Sequence, residues 1–299
     1  MTDESKSVPQ NPSEIDIIKE LATLDPLDDR AFKILVSDDE QFKTLAESFS
    51  SEVLDDEKII HMNGEIVLTV NGRLIRVDSL RNTTTAYINM DGQIIAEKFP
   101  FKRHVFYSAL IYANGIQKGD DWEKLKPVIS IVVYKDKGEA ALFEKATLSG
   151  SLVKTDDDGK LLTLIAVNTA KWKTAPTEEL RAYLSTLHHG IMTEDNKADF
   201  ANVDVTGDAF AKIQRAVKIA CAHTKKQEYE NEGDDSMTAV LGQYITKEEK
   251  EAAEARGEAR AFSIVSEVIS SLKANVPVSE IASRYKIAIQ EVEKLRTAL

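Results

Sequence analysis

The first part of the chain has the hydrophobic spacing of amphipathic helices. Across residues 13–52 the large apolar side chains recur every three or four positions, and Pro26 divides the series into two predicted helices. The rhythm then changes, because residues 65–70 and 73–78 are rich in β-branched side chains. Asn71-Gly72 joins these two runs and is a strong signal for a tight hairpin turn. The pattern therefore predicts helices followed by a β-hairpin.

The middle of the chain predicts further strands and helices. A third strand is expected over residues 83–90, after a polar turn at Arg81-Asn82, and a helix is expected over residues 102–114. Residues 128–134 are almost all apolar, which is typical of a strand buried on both faces. The later elements expected from the same patterns are a polar hairpin at 154–160, a strand at 161–168 and a helix at 177–187. Residues 128–134 are therefore expected in the middle of a sheet.

The C-terminal third is predicted to be helical. Residues 207–260 have long polar helical patterns, within which residues 225–236 are charged enough to form a linker. Two apolar stripes follow, one formed by Phe262, Val265, Ile269 and Leu272 and one by Ile289, Val292 and Leu295. Ser279 is the expected N-cap of a short helix between them. This order resembles a helix-turn-helix, although its charge is balanced, with 9 acidic and 9 basic residues from Ile245 onward.

The composition narrows the class of protein. The chain has 299 residues, of which 42% are hydrophobic, and no apolar run approaches the roughly 20 residues that span a bilayer. No contact with a membrane is therefore expected. The polar, acidic N-terminus does not resemble a signal or transit peptide, and residues 1–12 are expected to be disordered. Cys221 is the single cysteine, which excludes an internal disulfide, argues against a structural zinc site and favours a cytoplasmic location.

The formal net charge of -12 does not exclude a nucleic-acid partner, because the charge is unevenly distributed. Residues 1–60 carry 16 acidic and 6 basic side chains, whereas residues 65–135 carry 10 basic and 7 acidic ones. The second segment is thus mildly basic, and it contains most of the predicted strands. A local cationic groove for phosphate is compatible with this distribution.

Several short motifs occur in an order found in a known family. They are Asp29-Arg30-Ala31-Phe32-Lys33, a strand that ends in Asp78, Ile88-Asn89-Met90-Asp91, Arg103 before Tyr107-Ser108, the segment 119–131, and Ala170-Lys171-Trp172. In this order the chain resembles the PD-(D/E)XK nuclease family transposases, also called the recombination-promoting nuclease family. The resemblance covers the chain from about Asp29 to Leu299. It implies a protein that binds DNA and belongs to the magnesium-dependent hydrolases.

The resemblance also implies a fold and the residue boundaries of its regions. The expected fold is α/β, with a restriction-endonuclease-like core in which helices flank a mixed central sheet over residues 13–190. A helical and charged linker region is expected over residues 191–260, and a small helical tail resembling a helix-turn-helix over residues 261–299. Because the apolar stripes of so small a tail need a surface to cover, the C-terminal helices are expected to dock either on the core or on a second subunit, and the second case would give a homo-oligomer.

The resemblance assigns a catalytic role to three strand residues. In this family one Asp ends a strand, and a Glu two residues before a Gln or Lys lies on the next strand. Asp78 takes the first position, Asn89 the Glu position and Asp91 the Gln or Lys position. Mg²⁺ prefers charged oxygen ligands, so the Asn89 amide would bind it more weakly than a carboxylate. Asp78 and Asp91 remain the expected metal ligands, and the expected protein is a DNA endonuclease with weakened or lost cleavage, a pseudoenzyme.

Other interpretations of these residues stay open. Asn89 and Asp91 lie on one strand face about 7 Å apart, and both could simply be polar residues at a strand end. Asp29 is a candidate acidic member of the site, and capping the next helix is an equally good role for it. Lys102 and Arg103 are candidate contacts to DNA phosphates or ordinary helix-surface residues. The alternative function is a noncatalytic scaffold that uses the nuclease fold and the helical tail for protein interactions.

Overall fold

The computed structural model describes residues 12–50, 60–61, 68–70, 73–75, 79–94, 100–115, 121, 125–136, 138–149, 160–274 and 276–298. Most of the expected disordered segment 1–12, the Asn71-Gly72 turn and most of the expected hairpin at 154–160 lie outside these residues. Contacts between Cα atoms separate two compact units, Met1–Gln243 and Tyr244–Leu299. None of the helices in these described ranges is long and apolar enough to cross a membrane.

The N-terminal region forms three helices, where the sequence pattern predicted two. They are α1 (Glu14–Leu21), α2 (Asp29–Leu35) and α3 (Asp39–Ser50). The predicted second helix is interrupted at residues 36–38 by polar side chains that bond to the backbone. Ser37 Oγ donates to the carbonyl of Ile34, and Asp38 Oδ1 accepts from the amide of Gln41. These bonds end α2 and begin α3, because short polar side chains compete with the helical hydrogen bonds.

The described strands form a mixed six-stranded sheet and a separate two-stranded pair. The strands are β1 (Ile60–His61), β2 (Leu68–Val70), β3 (Arg73–Ile75), β4 (Ser79–Asn82), β5 (Tyr87–Gln93), β6 (Val128–Tyr134), β7 (Phe143–Ser149) and β8 (Lys160–Asn168). The large sheet has the order β1-β4-β5-β6-β8-β7, and β2 pairs with β3. β5, β6 and β8 are parallel neighbours, whereas the other pairs are antiparallel. All seven residues of β6 are buried, which confirms the prediction of a central strand.

The polar pair Arg81-Asn82 lies within β4, so the prediction of a turn there was wrong. The turn comes later, where Thr83 Oγ1 accepts from the amide of Ala86 at 2.9 Å. Arg81 is buried because its guanidinium group donates to the carbonyl of Val36 at 3.0 Å and to Asp39 Oδ1 at 3.2 Å. A buried arginine is tolerated when its donors are satisfied in this way. The consequence is that the strand predicted at 83–90 begins only at Tyr87.

Helices cover both faces of the sheet at β5. On one face, α2 approaches so closely that a Cβ atom added to Gly92 would lie 2.4 Å from Phe32 Cγ. On the other face, α4 (Pro100–Asn114) contributes Ile111 to a core cluster with Leu80, Tyr87 and Val128. Because side chains alternate along a strand, Asn89, Asp91 and Gln93 share the α4 face with Tyr87. The helix predicted at 102–114 is confirmed, and it starts slightly earlier.

The remaining helices of the first unit pack on the N-terminal helices. α5 (Glu178–His189) and α6 (Asp208–Glu232) contact each other, and α6 contacts α1 and α2. Lys225 and Tyr229, within the segment expected to be a linker, lie in α6, where both contact Glu20 of α1. The chain then turns at Gly233, which has a left-handed φ of 78°, and α7 (Asp235–Lys273) begins. Residues 225–236 are therefore helix, tight turn and helix, within a region that the sequence predicted to be helical.

The second unit contains most of α7, from Tyr244 onward, together with α8 (Val278–Tyr285) and α9 (Ile289–Ala298). Its core consists of Val268, Leu272, Ile281, Ala282 and Val292. Val265 was predicted in the apolar stripe but is 41% exposed, and Val268 takes the buried position instead. The Phe262 side chain lies outside the described residues. The expected cap at Ser279 is also wrong, because α8 begins at Val278 after Pro277.

Candidate active site

Three polar side chains follow one another on the face of β5 that packs against α4. Asn89 and Asp91 are 1% and 4% exposed, and Gln93 is partly buried. Buried polar groups are costly unless they bond to one another or to a ligand. Their succession on a single strand face therefore makes this part of the sheet the candidate site.

The carboxylate of Asp91 is the centre of this group. His104 Nε2 lies 3.4 Å from Asp91 Oδ2, and Arg103 Nη2 lies 3.7 Å from the same oxygen. Gln93 Nε2 donates to it at 3.3 Å. The three nitrogen groups come from the strand and from α4, so the carboxylate holds the two elements together. They also give it a polar and partly cationic environment inside the fold.

Asn89 lies deeper than Asp91 and bonds to the neighbouring strand. Its Nδ2 donates to Ser130 Oγ of β6 at 3.3 Å, across the pair Asn89–Ser130 in the parallel register. Among the described residues, Asn89 Oδ1 and Ser108 Oγ are buried without a hydrogen-bond partner. Ser108 lies one helical turn after His104 in α4, a rise of about 6 Å along the helix axis. Asn89 thus belongs to an inner polar layer beneath Asp91.

Asp78 lies outside the described residues, so its geometry relative to Asn89 stays a prediction. In the chain it directly precedes Ser79, and Ser79 pairs with Met90, the neighbour of Asp91. Asn89 pairs with Leu80, one step further from Asp78 along β4.

Asp29 is not joined to these side chains by any described contact. It is the first residue of α2, its carboxylate is 68% exposed, and it pairs with Lys33 at 3.2 Å. The cap of this helix is Asp28, whose Oδ1 accepts from the amide of Arg30 at 3.0 Å. The alternative role of Asp29 as N-cap was therefore wrong by one residue.

Of the two basic residues proposed from the sequence, Arg103 has a described contact with Asp91. Its side chain is 37% exposed, and its Nε donates to the Tyr107 hydroxyl at 3.0 Å. The guanidinium group therefore spans from the buried carboxylate to the protein surface. Lys102 is exposed on the same helix turn. A phosphate that approached this end of α4 would meet two cationic groups.

Sequence reasoning did not single out His104, Gln93 or Ser130. His104 has no nearby cysteine or acidic residue at a ligand spacing, so nothing in the local sequence indicates its contact with Asp91. Gln93 did carry a signal, because Asp91-Gly92-Gln93 places a carboxylate two residues before a glutamine. That spacing is the one expected for the second motif of the family. Ser130 lies in an apolar run, and only the sheet register reveals that it lies beside Asn89.

Comparisons with known proteins place the chain in a family. The family described as PD-(D/E)XK nuclease family transposase matches residues 26–237, which is more than two thirds of the chain. A search of the curated proteins and a search of the solved structures found no match. The matched residues include the sheet, α4 and every side chain around Asp91 described above. The chain therefore belongs to the PD-(D/E)XK nuclease family transposases.

Proposed function

We propose that the protein is a metal-dependent DNA endonuclease whose active site is built on Asp91 and Gln93 of β5. The observation that carries the proposal is the contact between these two side chains on one face of the strand, with Gln93 Nε2 3.3 Å from Asp91 Oδ2. Membership in a nuclease-family transposase group supports DNA as the substrate. The exposed part of Arg103, beside this pair, supports binding of a phosphate there.

This proposal shifts the motif by two residues relative to the assignment made from the sequence. Asp91 takes the position of the family carboxylate and Gln93 the position of the Gln or Lys, whereas Asn89 becomes a supporting residue. Two observations favour the shift. Asn89 is bonded to Ser130 in the inner layer, and Ser79, which follows Asp78, pairs beside Asp91. Under this assignment the site keeps its carboxylate, and the argument for a weakened enzyme no longer applies.

The side chains around Asp91 are compatible with a magnesium ion. The described residues contain no group of three or more His, Cys, Asp or Glu side chains that could hold a metal. They do offer the Asp91 carboxylate and the amide oxygen Gln93 Oε1, which is buried without a hydrogen-bond partner among the described residues. Oxygen donors of this kind suit Mg²⁺, which keeps several water ligands and needs few protein ones. We propose Asp91 and Asp78 as its ligands.

Each side chain then has a chemical role. The chemistry that Mg²⁺ supplies in such a site is neutralisation of phosphate charge and activation of water. Asp91 and Asp78 hold the cation, and Gln93 orients the Asp91 carboxylate or a water molecule through its amide. Arg103 and Lys102 bind the phosphodiester from the solvent side. This division of roles requires no carboxylate at Asn89.

Nicking of supercoiled plasmid DNA in Mg²⁺ or Mn²⁺ tests the proposal. We expect the wild type to cleave, and Asp91→Asn to cleave ~100-fold more slowly or less, because a lost ligand removes several kcal/mol of transition-state stabilisation. Asp29→Asn is the matched control, since this exposed carboxylate pairs only with Lys33 in the described contacts, and it should cleave like the wild type.

The double variant Asn89→Glu with Asp91→Gln separates the two motif assignments. If Asp91 is the family carboxylate, the double variant loses cleavage. If Asn89 occupies that position, the wild type is inactive and the double variant gains cleavage, which would refute the proposal. The two assignments therefore predict opposite results from the same pair of proteins.

A noncatalytic scaffold is the second candidate function. One observation favours it: Asp91 is the one carboxylate among the described residues of this group, and Arg103 and His104 already contact it. A charge held by internal partners can serve to fix α4 on the sheet rather than to bind a cation. Absence of cleavage in both the wild type and the double variant, with both proteins folded, would favour this function.

A further inference from the structure

The imidazole of His104 lies against both side chains of the proposed motif. Its Nε2 is 3.4 Å from Asp91 Oδ2 and 3.5 Å from Gln93 Nε2, and the residue is 1% exposed. We infer that His104 is a positioning residue, which fixes the Asp91 carboxylate for a divalent cation by donating a hydrogen bond from Nε2. The inference rests on the proposed function, because it assigns to Asp91 the role of a ligand.

Hydrogen-bond chemistry determines the direction of this contact. An ionised carboxylate only accepts, and the Gln93 amide nitrogen only donates. An imidazole nitrogen does one or the other, so Nε2 carries the proton if it donates to Asp91. Its 3.5 Å contact with Gln93 Nε2 is then a contact between two donors and not a hydrogen bond. The amide of Gln93 then also donates to Asp91 Oδ2, at 3.3 Å. With the opposite amide orientation an oxygen would face Asp91 Oδ2, and the two acceptors would repel each other.

The ring of His104 is itself held in place. It lies edge-on to Tyr107 of the same helix, with ring centroids 6.0 Å apart and an interplanar angle of 74°. Burial leaves the imidazole little room to change rotamer. Because the two oxygens of a carboxylate share one plane, donors that fix Oδ2 also fix the direction of Oδ1. A carboxylate held in this way needs little reorganisation when it binds a cation.

The same contacts would also occur if His104 only joined α4 to β5. A purely structural histidine would affect the stability of the fold but would leave the affinity for a cation nearly unchanged in any variant that folds. A positioning histidine predicts a change in cation affinity that is recovered when a donor is restored. Cation binding therefore separates the two roles without reference to catalysis.

The test measures Mn²⁺ binding to the full-length protein by titration calorimetry. His104→Leu keeps the apolar volume but removes the donor, and we expect its dissociation constant to rise about 10- to 100-fold, as for other groups that support a metal ligand. His104→Gln places an amide donor near the position of Nε2 and should recover most of the affinity. If His104→Leu fails to fold, as judged by its circular dichroism and thermal transition, His104→Ala is the second variant without a donor.

Ser108→Ala is the matched control. Ser108 is as buried as His104, lies one turn further along α4, and its hydroxyl has no hydrogen-bond partner among the described residues. This variant should bind Mn²⁺ like the wild type. In the cleavage assay, His104→Leu should need more Mg²⁺ for half-maximal rate, whereas Ser108→Ala should not.

The outcomes also separate this inference from the proposed function. Equal Mn²⁺ affinity in the wild type and His104→Leu refutes the positioning role, and wild-type nicking that depends on Asp91 would still support the nuclease. Absence of Mn²⁺ binding by the wild type likewise refutes it. A weaker affinity in His104→Leu that is recovered in His104→Gln supports the positioning role even if no DNA is cleaved.

Discussion

Replacing Gly92 with alanine should destabilise the sheet at the position between the two proposed motif residues. Gly92 lies in β5 between Asp91 and Gln93, and its α-carbon faces α2. An added Cβ atom would lie 2.4, 2.7 and 2.8 Å from Phe32 Cγ, Cδ1 and Cδ2. These distances are well inside ordinary van der Waals contact, and Phe32 is fully buried. The ring or the strand must therefore move.

The size of the effect follows from the depth of this overlap. To regain ordinary contact the ring has to retreat by about 1 Å in a close-packed interior, and overpacking of this kind costs about 1–3 kcal/mol. Alanine also lowers the conformational entropy of the unfolded chain relative to glycine, which stabilises the folded state by about 0.4–1 kcal/mol. We therefore expect a net loss of about 1–2 kcal/mol in the free energy of unfolding.

Urea denaturation of four variants measures this loss, namely Gly92→Ala, Gly242→Ala, Phe32→Leu and the double variant Gly92→Ala with Phe32→Leu. Gly242→Ala is the control in the same unit, because its Cβ would meet only Lys226 Cε at an ordinary 3.6 Å, and it should be neutral or slightly stabilising. The double variant Gly92→Ala with Phe32→Leu should lose less stability than the sum of the single changes, since leucine lacks part of the ring. Additive effects, or equal effects of the two glycine substitutions, would refute the close approach of α2 to β5.

Two further predictions concern other parts of the chain. Burial raises the pKa of the Cys221 thiol from 9.0 to about 12, so its contribution to stability is complete below pH 9 and is lost as the pH rises towards 12. Between pH 8 and pH 10 the urea midpoint should fall more for the wild type than for Cys221→Ala, and an equal fall would contradict this. Deleting residues 261–299 should change the oligomeric mass more than the DNA affinity, because Val265 and Ile289 expose apolar surface in this tail and its charge is balanced. Light scattering and a salt-dependent DNA titration test this, and an unchanged mass with a large loss of salt-sensitive binding would identify the tail as the DNA-binding element.

The spacing of hydrophobic residues correctly predicted elements in which burial alone determines where the apolar side chains occur. The apolar run at residues 128–134 is such an element, because all seven of its residues are buried in β6. The helix at residues 102–114 was also predicted, but its buried residues include His104 and Ser108, whereas Val105 and Phe106 are exposed. The hydrophobic pattern failed where residues distant in sequence form hydrogen bonds with a buried polar side chain and so stabilise its burial. Arg81 lies inside a strand because the carbonyl of Val36 and the carboxylate of Asp39 satisfy it, and neither is visible from the residues around position 81.

The candidate site shows the same limit. The resemblance to the family directed attention to Asp91, because this residue takes the Gln or Lys position of the motif when Asn89 takes the Glu position. Its partners could not be ranked without the packing of α4 on β5, since His104 is thirteen positions away and has no local signal. In the tail, too, the sequence did not determine which helix position is buried, because Val268 rather than Val265 lies in the core. The period alone leaves such choices open by about one helical turn.

The burial of β6 has a consequence for the chain before it folds. A segment of seven residues without charge, glycine or proline, and with high β propensity, is prone to self-association while it is exposed. Its parallel neighbours β5 and β8 are distant in sequence, so it stays uncovered until those long-range pairs form. The residues on either side, Lys126-Pro127 and Lys135-Asp136, are of the types that oppose stacking between chains. In the folded protein Lys126 donates to Asn82 and Lys135 donates to Asp25. The two lysines that oppose aggregation of the unfolded chain therefore also fix the ends of β6 to neighbouring elements.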